Sequence, residues 1–205
     1  MSSKSVEPPI FLIVAGPNGS GKSSAYQRTS IEASGRTVWI INPDLLTARI
    51  NQIEGLKLDD ANLAAVMRIE TWLDASVEAH QSVGVETVLS TAKYRRLVKK
   101  AKTLGFEIRL IYVVLDSVER NIERVALRVK KGGHDVPEDK IRKRYNGSLD
   151  QMPWFLSHSD QATLYDNSGA VPKVIGEKKD GLISMADDAT PAILKVIKTH
   201  FLQNE

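Results

Sequence analysis

The chain has 205 residues, 42% hydrophobic and 26% charged, which is ordinary globular composition and excludes a disordered or fibrous protein. Cysteine is absent, so disulfides and thiolate-bound zinc or iron–sulfur sites are excluded, and the cytosol is the expected compartment. Lys and Arg number 28 against 25 Asp and Glu, and the net +3 is too small, over the whole chain, to imply a nucleic-acid or membrane surface.

The stretch through Pro9 is polar and carries no signal-peptide apolar region. The first apolar run, Ile10-Phe-Leu-Ile-Val-Ala15, is far too short to span a bilayer and reads as a buried strand. Further β-branched runs predict strands at 37–41, 85–89, 107–115, 162–166 and 171–175. Helical patterns fall near 22–33, 45–53, 60–81, 93–104, 117–131 and 138–157. A last one lies near 191–203, with Thr190 as its N-cap and Pro191 at its first position. Continuous apolar strands separated by helices predict an α/β fold, a mostly parallel sheet of five or six strands with helices on both faces. No repeat or linker divides the chain, so 1–205 reads as one domain. Trp39, Trp72 and Trp154 are expected in the core.

The first strand runs into Gly16-Pro-Asn-Gly-Ser-Gly21-Lys22-Ser23, a full G-x-x-x-x-G-K-[ST] match. Gly16, Gly19 and Gly21 allow a tight turn that points successive N–H groups inward at the start of a helix, a cradle for phosphate. The cradle makes the fold a P-loop NTPase three-layer sandwich. Gly16, Pro17, Asn18, Gly19, Ser20, Gly21, Lys22, Ser23 and Ser24 are therefore the expected nucleotide-binding residues. Lys22 would reach the β- and γ-phosphates and the Ser23 hydroxyl would ligate Mg²⁺. The one strand that could supply a separate magnesium-binding Asp ends at Asp116. There, Asp116-Ser-Val-Glu119 fits a helix capping box, the favoured reading. No Asn-Lys-x-Asp base-recognition motif is present, which favours ATP over GTP. Together these point to a small kinase.

Ligands of an open parallel sheet sit beyond the carboxyl ends of its strands. Asp44, in Ile40-Ile-Asn-Pro-Asp44, falls at such an end. It could take the proton of an acceptor hydroxyl, or cap the helix that follows. Glu86, inside the apolar strand, could hold substrate hydroxyls or magnesium-bound water, or sit in a satisfied ion pair. Ser90 and Thr91 close that strand as weaker substrate contacts.

Residues 120–144 hold nine basic and four acidic side chains, a local +5 that leaves −2 for the remaining chain. Val118, Ile122, Val125 and Val129 form an apolar stripe expected to pack on the sheet, while Arg120, Arg124 and Arg128 form a separate ridge. The basic helices flank Gly132-Gly-His134, which suggests a lid over the triphosphate, with His134 near substrate. A solvated, salt-bridged face is the plainer alternative. Aromatic residues are not interleaved as an RNA surface would need.

Gly16–Ser23, Ile41-Asn-Pro-Asp44, Val85-Glu-Thr-Val-Leu-Ser90 and Ile122-Glu-Arg124 together resemble the zeta toxin family of P-loop kinases. So do Arg128-Val-Lys-Lys-Gly-Gly-His-Asp-Val-Pro137, Arg142-Lys-Arg-Tyr145 and Tyr165-Asp-Asn-Ser168. The resemblance spans roughly 10–175 and is nearest to the short, stand-alone members. It implies a kinase using ATP and Mg²⁺ on the 3′-hydroxyl of the amino sugar of UDP-N-acetylglucosamine, with an antitoxin as a possible partner. Asp44 matches the family's general base, Glu86 its substrate-side acid, and Arg124 the first of its phosphate-stabilising arginines. The second such arginine falls near His134, and Arg128, Arg142 and Arg144 are candidates to replace it. Open alternatives are a kinase of another metabolite, nucleoside, dinucleotide or nucleic-acid end, or an ATP-switched binding module without phosphotransfer.

Overall fold

The computed structural model describes residues 7–23, 38–133 and 135–201. The strand β1 (Ile10–Ala15) is buried along its whole length, as a run of six apolar residues must be at the centre of a sheet. Around it lie β2 (Trp39–Ile41), β3 (Val83–Thr87), β4 (Glu107–Val114), β5 (Gln161–Asp166), β6 (Lys173–Lys179) and β7 (Leu182–Met185), in the order β2-β3-β1-β4-β5-β6-β7. The first five strands in that order are mutually parallel, and β6 and β7 close the sheet as antiparallel neighbours. The helices whose whole length is described are α1 (Pro43–Glu54), α2 (Leu58–Glu78), α3 (Arg95–Thr103), α4 (Val118–Lys130), α5 (Glu138–His158) and α6 (Pro191–Phe201). The result is the expected three-layer α/β sandwich, with seven strands among the described residues rather than five or six.

Because strand side chains alternate, β1 splits its residues between two cores. Phe11, Ile13 and Ala15 join the large cluster that receives α2, α3, α5 and α6, while Ile10, Leu12 and Val14 form a smaller cluster with Val38, Ile40 and Ile111. Most helix boundaries fall within a few residues of those the sequence predicts, although the predicted helix at 22–33 lies largely outside the described residues. β3 is displaced two residues toward the N-terminus. Gly84 fits between β1 and β2, where a Cβ would stand 3.0 Å from the Ile40 side chain and 3.3 Å from the Leu12 carbonyl. Val88 and Leu89 thus leave the strand, and Leu89 adopts a left-handed φ of 57° while buried.

Three local expectations are corrected. The N-cap of α4 is Ser117, whose hydroxyl accepts from the Arg120 amide, and Asp116 instead pairs with the Arg120 guanidinium at 3.0 Å. Thr190 precedes α6 and its carbonyl accepts from Leu194, but its buried hydroxyl makes no capping bond. Trp39 lies on the edge strand β2 and is exposed, whereas Trp72 and Trp154 pack against the main core.

Candidate functional site

The carboxyl ends of β1, β2 and β3 lie side by side, with Val14 level with Glu86 and Ala15 level with Thr87. They place the glycine loop, Asn42 and Glu86 at the floor of one cavity of about 690 Å³. The loop turns tightly because Gly16, at φ 142°, lies against β4. A Cβ there would stand 2.0 Å from the Val113 carbonyl oxygen. A helix begins at Lys22.

Lys22 is buried, and its ammonium donates to the Gly16 carbonyl at 2.9 Å and the Pro17 carbonyl at 3.1 Å. Burial pulls its pKa below the ordinary lysine value, with Arg128 adding to the effect and the Glu86 and Asp44 carboxylates opposing it. Such a cation is ready to meet an anion. Ser20 is buried in the same turn, and its hydroxyl has no hydrogen-bond partner among the described residues. An orphaned hydroxyl in the same glycine turn as a buried ammonium fits phosphate.

Among the described residues Glu86 forms no ion pair, and hydrogen bonds hold it instead. Its carboxylate accepts from the Ser23 hydroxyl at 2.9 Å and from the Asn42 amide at 2.8 Å. Asn42 turns its other side-chain atom, Oδ1, to the start of α1, accepting from the Asp44 and Leu45 amides at 2.9 and 3.2 Å. Asn42 is therefore the N-cap, and Asp44 sits in the first helical turn with its carboxylate 64% exposed to the cavity side. The capping alternative for Asp44 is excluded.

Across the cavity, α4 presents Arg124 and Arg128 one turn apart. Arg128 Nη1 lies 3.8 Å from Asp44 Oδ2, and Arg124 Nη2 donates to the Asn167 carbonyl at 2.7 Å. Arg120 leaves the ridge by donating to the Ser168 carbonyl at 2.7 Å. Arg142 is also turned away, held by Glu119 and Glu138 at 2.8 Å each, whereas Arg144 lines the cavity with Lys140. The stripe on α4 packs against Val136 and Ile141 rather than chiefly on the sheet, and only Val118 also reaches the main core. The segment 120–144 is thus a stitched helical pair beside the loop. Its hinge residue Gly133 sits so close to Arg128 that a Cβ would lie 2.6 Å from that side chain. His134 and Ser24 lie outside the described residues.

The remaining walls are the 87–91 loop, which includes Ser90 and Thr91, together with Lys93, Tyr94, and Thr47, Asp59 and Asn62 of α1 and α2. Burial pushes the pKa of the Tyr94 hydroxyl up to about 12, with the Glu70 carboxylate adding to the effect.

Two side chains whose contact with the loop sequence reasoning did not foresee brace it from behind. Buried Asn121 on α4 donates to the Asn18 carbonyl at 2.6 Å. Buried Asn167, after β5, donates to the Ser20 carbonyl at 2.8 Å. The 166–169 turn therefore holds the phosphate loop. The only signal that could have found Asn167 was its place in Tyr165-Asp-Asn-Ser168.

The family model described as Zeta toxin matches residues 1–171. An uncharacterized protein of Haemophilus influenzae is 29% identical over 137 residues, which are 65% of this chain and 91% of the relative. The solved AvrRxo1-ORF1:-ORF2 structure with ATP matches with a TM-score of 0.66 at 16% identity, over 97% of this chain and 64% of that one. This chain thus spans a little under two thirds of that neighbour's length. A structure from the PezAT chromosomal toxin–antitoxin system of Streptococcus pneumoniae matches with a TM-score of 0.62 at 14% identity, over 99% of this chain and 90% of that one. At these identities the structural likeness shows the fold.

Proposed function

The chain belongs to the zeta toxin family, and from that membership and the site's geometry we propose that it is an ATP-dependent small-molecule kinase. The observation that carries the reading is the meeting of Lys22, Ser23, Asp44, Glu86, Arg124 and Arg128 around one cavity. There the loop that suits a triphosphate faces an exposed carboxylate that suits an acceptor hydroxyl.

Asp44 takes the proton of the acceptor hydroxyl, whose oxygen bonds to the γ-phosphorus as the bond to the β-phosphate oxygen breaks. ADP leaves with the electron pair of that bond. Lys22 and the inward amides of the loop hold the phosphates, and Arg124 and Arg128 stabilise charge on the transferring group. Ser23 and Glu86 would hold Mg²⁺, a hard-oxygen donor set that suits an ion shared with substrate phosphates. Among the described residues no group of three His, Asp or Glu forms a protein cage for a metal. When bound, the ion would neutralise charge on the β- and γ-phosphates. Thr91, Ser90 and Glu86 lie where the acceptor would be received, and His134 keeps its proposed substrate role.

The acceptor proposed is a sugar hydroxyl, and the family points to the amino-sugar 3′-hydroxyl of UDP-N-acetylglucosamine. An antitoxin partner is proposed on the same ground. Among the described residues no helix is long and apolar enough to cross a membrane, and cytoplasmic action is part of the proposal. The test is incubation with ATP, Mg²⁺ and a panel of sugar nucleotides, nucleosides, dinucleotides and nucleic-acid ends, read by mass spectrometry. A phosphate added to the amino sugar is expected. Phosphorylation of another class redirects the acceptor assignment, and ATP binding with no modified acceptor overturns the kinase reading.

A further inference from the structure

Arg124 must stand at a fixed distance from the phosphate loop if it is to meet a phosphate held there, yet the two come from distant parts of the chain. Asn167 touches both. Its side-chain amide donates to the Ser20 carbonyl at 2.8 Å, and its main-chain carbonyl accepts from Arg124 Nη2 at 2.7 Å. Its own N–H donates to the Val114 carbonyl at 2.9 Å, which ties it to the end of β4. The amide is wedged against the loop so closely that a Cβ on Gly21 would lie 2.2 Å from Asn167 Nδ2. The same imaginary Cβ would lie 3.6 Å from Arg124 Nη1, so loop, amide and guanidinium form one packed layer. Asn121, one turn before Arg124 on α4, pins the neighbouring Asn18 carbonyl at 2.6 Å.

We propose that Asn167 is a positioning residue that sets the register between the phosphate loop and Arg124, acting on the nucleotide through both and touching neither acceptor nor reacting atoms. This deepens the kinase reading and rests on it for the role of Arg124. A donor is required at this position because the partner is a carbonyl. Removing it takes away the hydrogen bond that the Ser20 carbonyl accepts from this side chain and frees the layer to shift.

The test is a double-mutant cycle on the full chain, Asn167→Ala and Arg124→Ala singly and together. Binding of a non-hydrolysable β,γ-imido ATP analogue is read by calorimetry, with thermal melting to verify folding. Each single change is expected to weaken binding about three- to tenfold, and the double variant to be little worse than the weaker single. Independent, multiplicative losses would overturn the proposal, because a merely structural Asn167 would not depend on Arg124. Failure of the wild-type chain to bind the analogue would overturn it too. Asn167→Asp keeps the shape and loses the donor. It is expected to bind as weakly as Asn167→Ala, and wild-type binding by it would count against the donor role. None of these readouts needs turnover. A chain that shows the coupling but modifies no acceptor sinks the kinase reading alone.

Discussion

Asp44 owes its availability to its neighbours. Asn42 already satisfies the first amides of α1, so the Asp44 carboxylate is not consumed as a cap, and Arg128 at 3.8 Å holds it toward the cavity without burying it. Asp44→Ala is therefore expected to keep ATP affinity and lower phosphate transfer by about 10²–10⁴-fold. Lys22→Ala should weaken both. Calorimetry with ATP beside product formation separates the two, and unimpaired transfer by Asp44→Ala would remove it as the base. Lys22 also carries a pH signature. Its folded pKa lies below the ordinary 10.5, so between those two values the unfolded chain binds the proton that the folded one has released. Raising pH toward 10.5 thus favours the folded state, and the stability of wild type relative to Lys22→Met should rise over that window in denaturant unfolding. A flat or falling difference would contradict a lysine depressed by burial. The phosphate loop was legible because its chemistry is written in consecutive residues. Asn121 and Asn167 were not, because they meet it across 103 and 147 residues of sequence and an isolated Asn has many uses.

At the scale of elements, α5 shows how packing reverses a propensity. Gly147 lies mid-helix, where Ala would ordinarily stabilise by about 0.5–1 kcal/mol. Here a Cβ would lie 2.8 Å from the Ser90 carbonyl oxygen, a backbone atom of the 87–91 loop that walls the cavity. Gly147→Ala is expected to destabilise by about 1–3 kcal/mol in urea unfolding and to weaken acceptor use more than ATP binding. A stabilised variant would show that the 87–91 loop yields freely. The same scale explains what the pattern missed. The turn Lys179-Asp180-Gly181-Leu182 joins β6 to β7, with Asp180 at φ 52° and Gly181 at φ 81°. Asp-Gly is a strong hairpin signal. The strand β7, Leu-Ile-Ser-Met, is missing from the sequence-based expectations because it is only four residues long and too short to stand out as a strand. The α4 stripe was visible as a stripe, but periodicity says only that a face is buried, and Val136 and Ile141 bury it.

Across the whole molecule, the local +5 of residues 120–144 and the phosphate loop occupy one end of the sheet, although the chain is nearly neutral. Part of that charge is internally answered: Arg120 by Asp116, and Arg142 by Glu119 and Glu138. Arg124, Arg128, Lys140 and Arg144 face the cavity with buried Lys22 below them. Their mutual repulsion is relieved when an anion enters, so ligand binding should appear as stability of the entire fold rather than of one loop. At ATP concentrations near 100 times the dissociation constant, linkage gives about 2.7 kcal/mol. For a chain of this length that corresponds to a rise in melting temperature of about 5–10 °C. The rise should track ATP concentration logarithmically and disappear in Lys22→Ala, whereas Arg142→Ala, whose guanidinium is committed to Glu119 and Glu138, should retain it. Differential scanning fluorimetry across an ATP series distinguishes the cases. A wild type that gains no stability from ATP would mean that the loop, the buried ammonium and the basic wall do not form a nucleotide site.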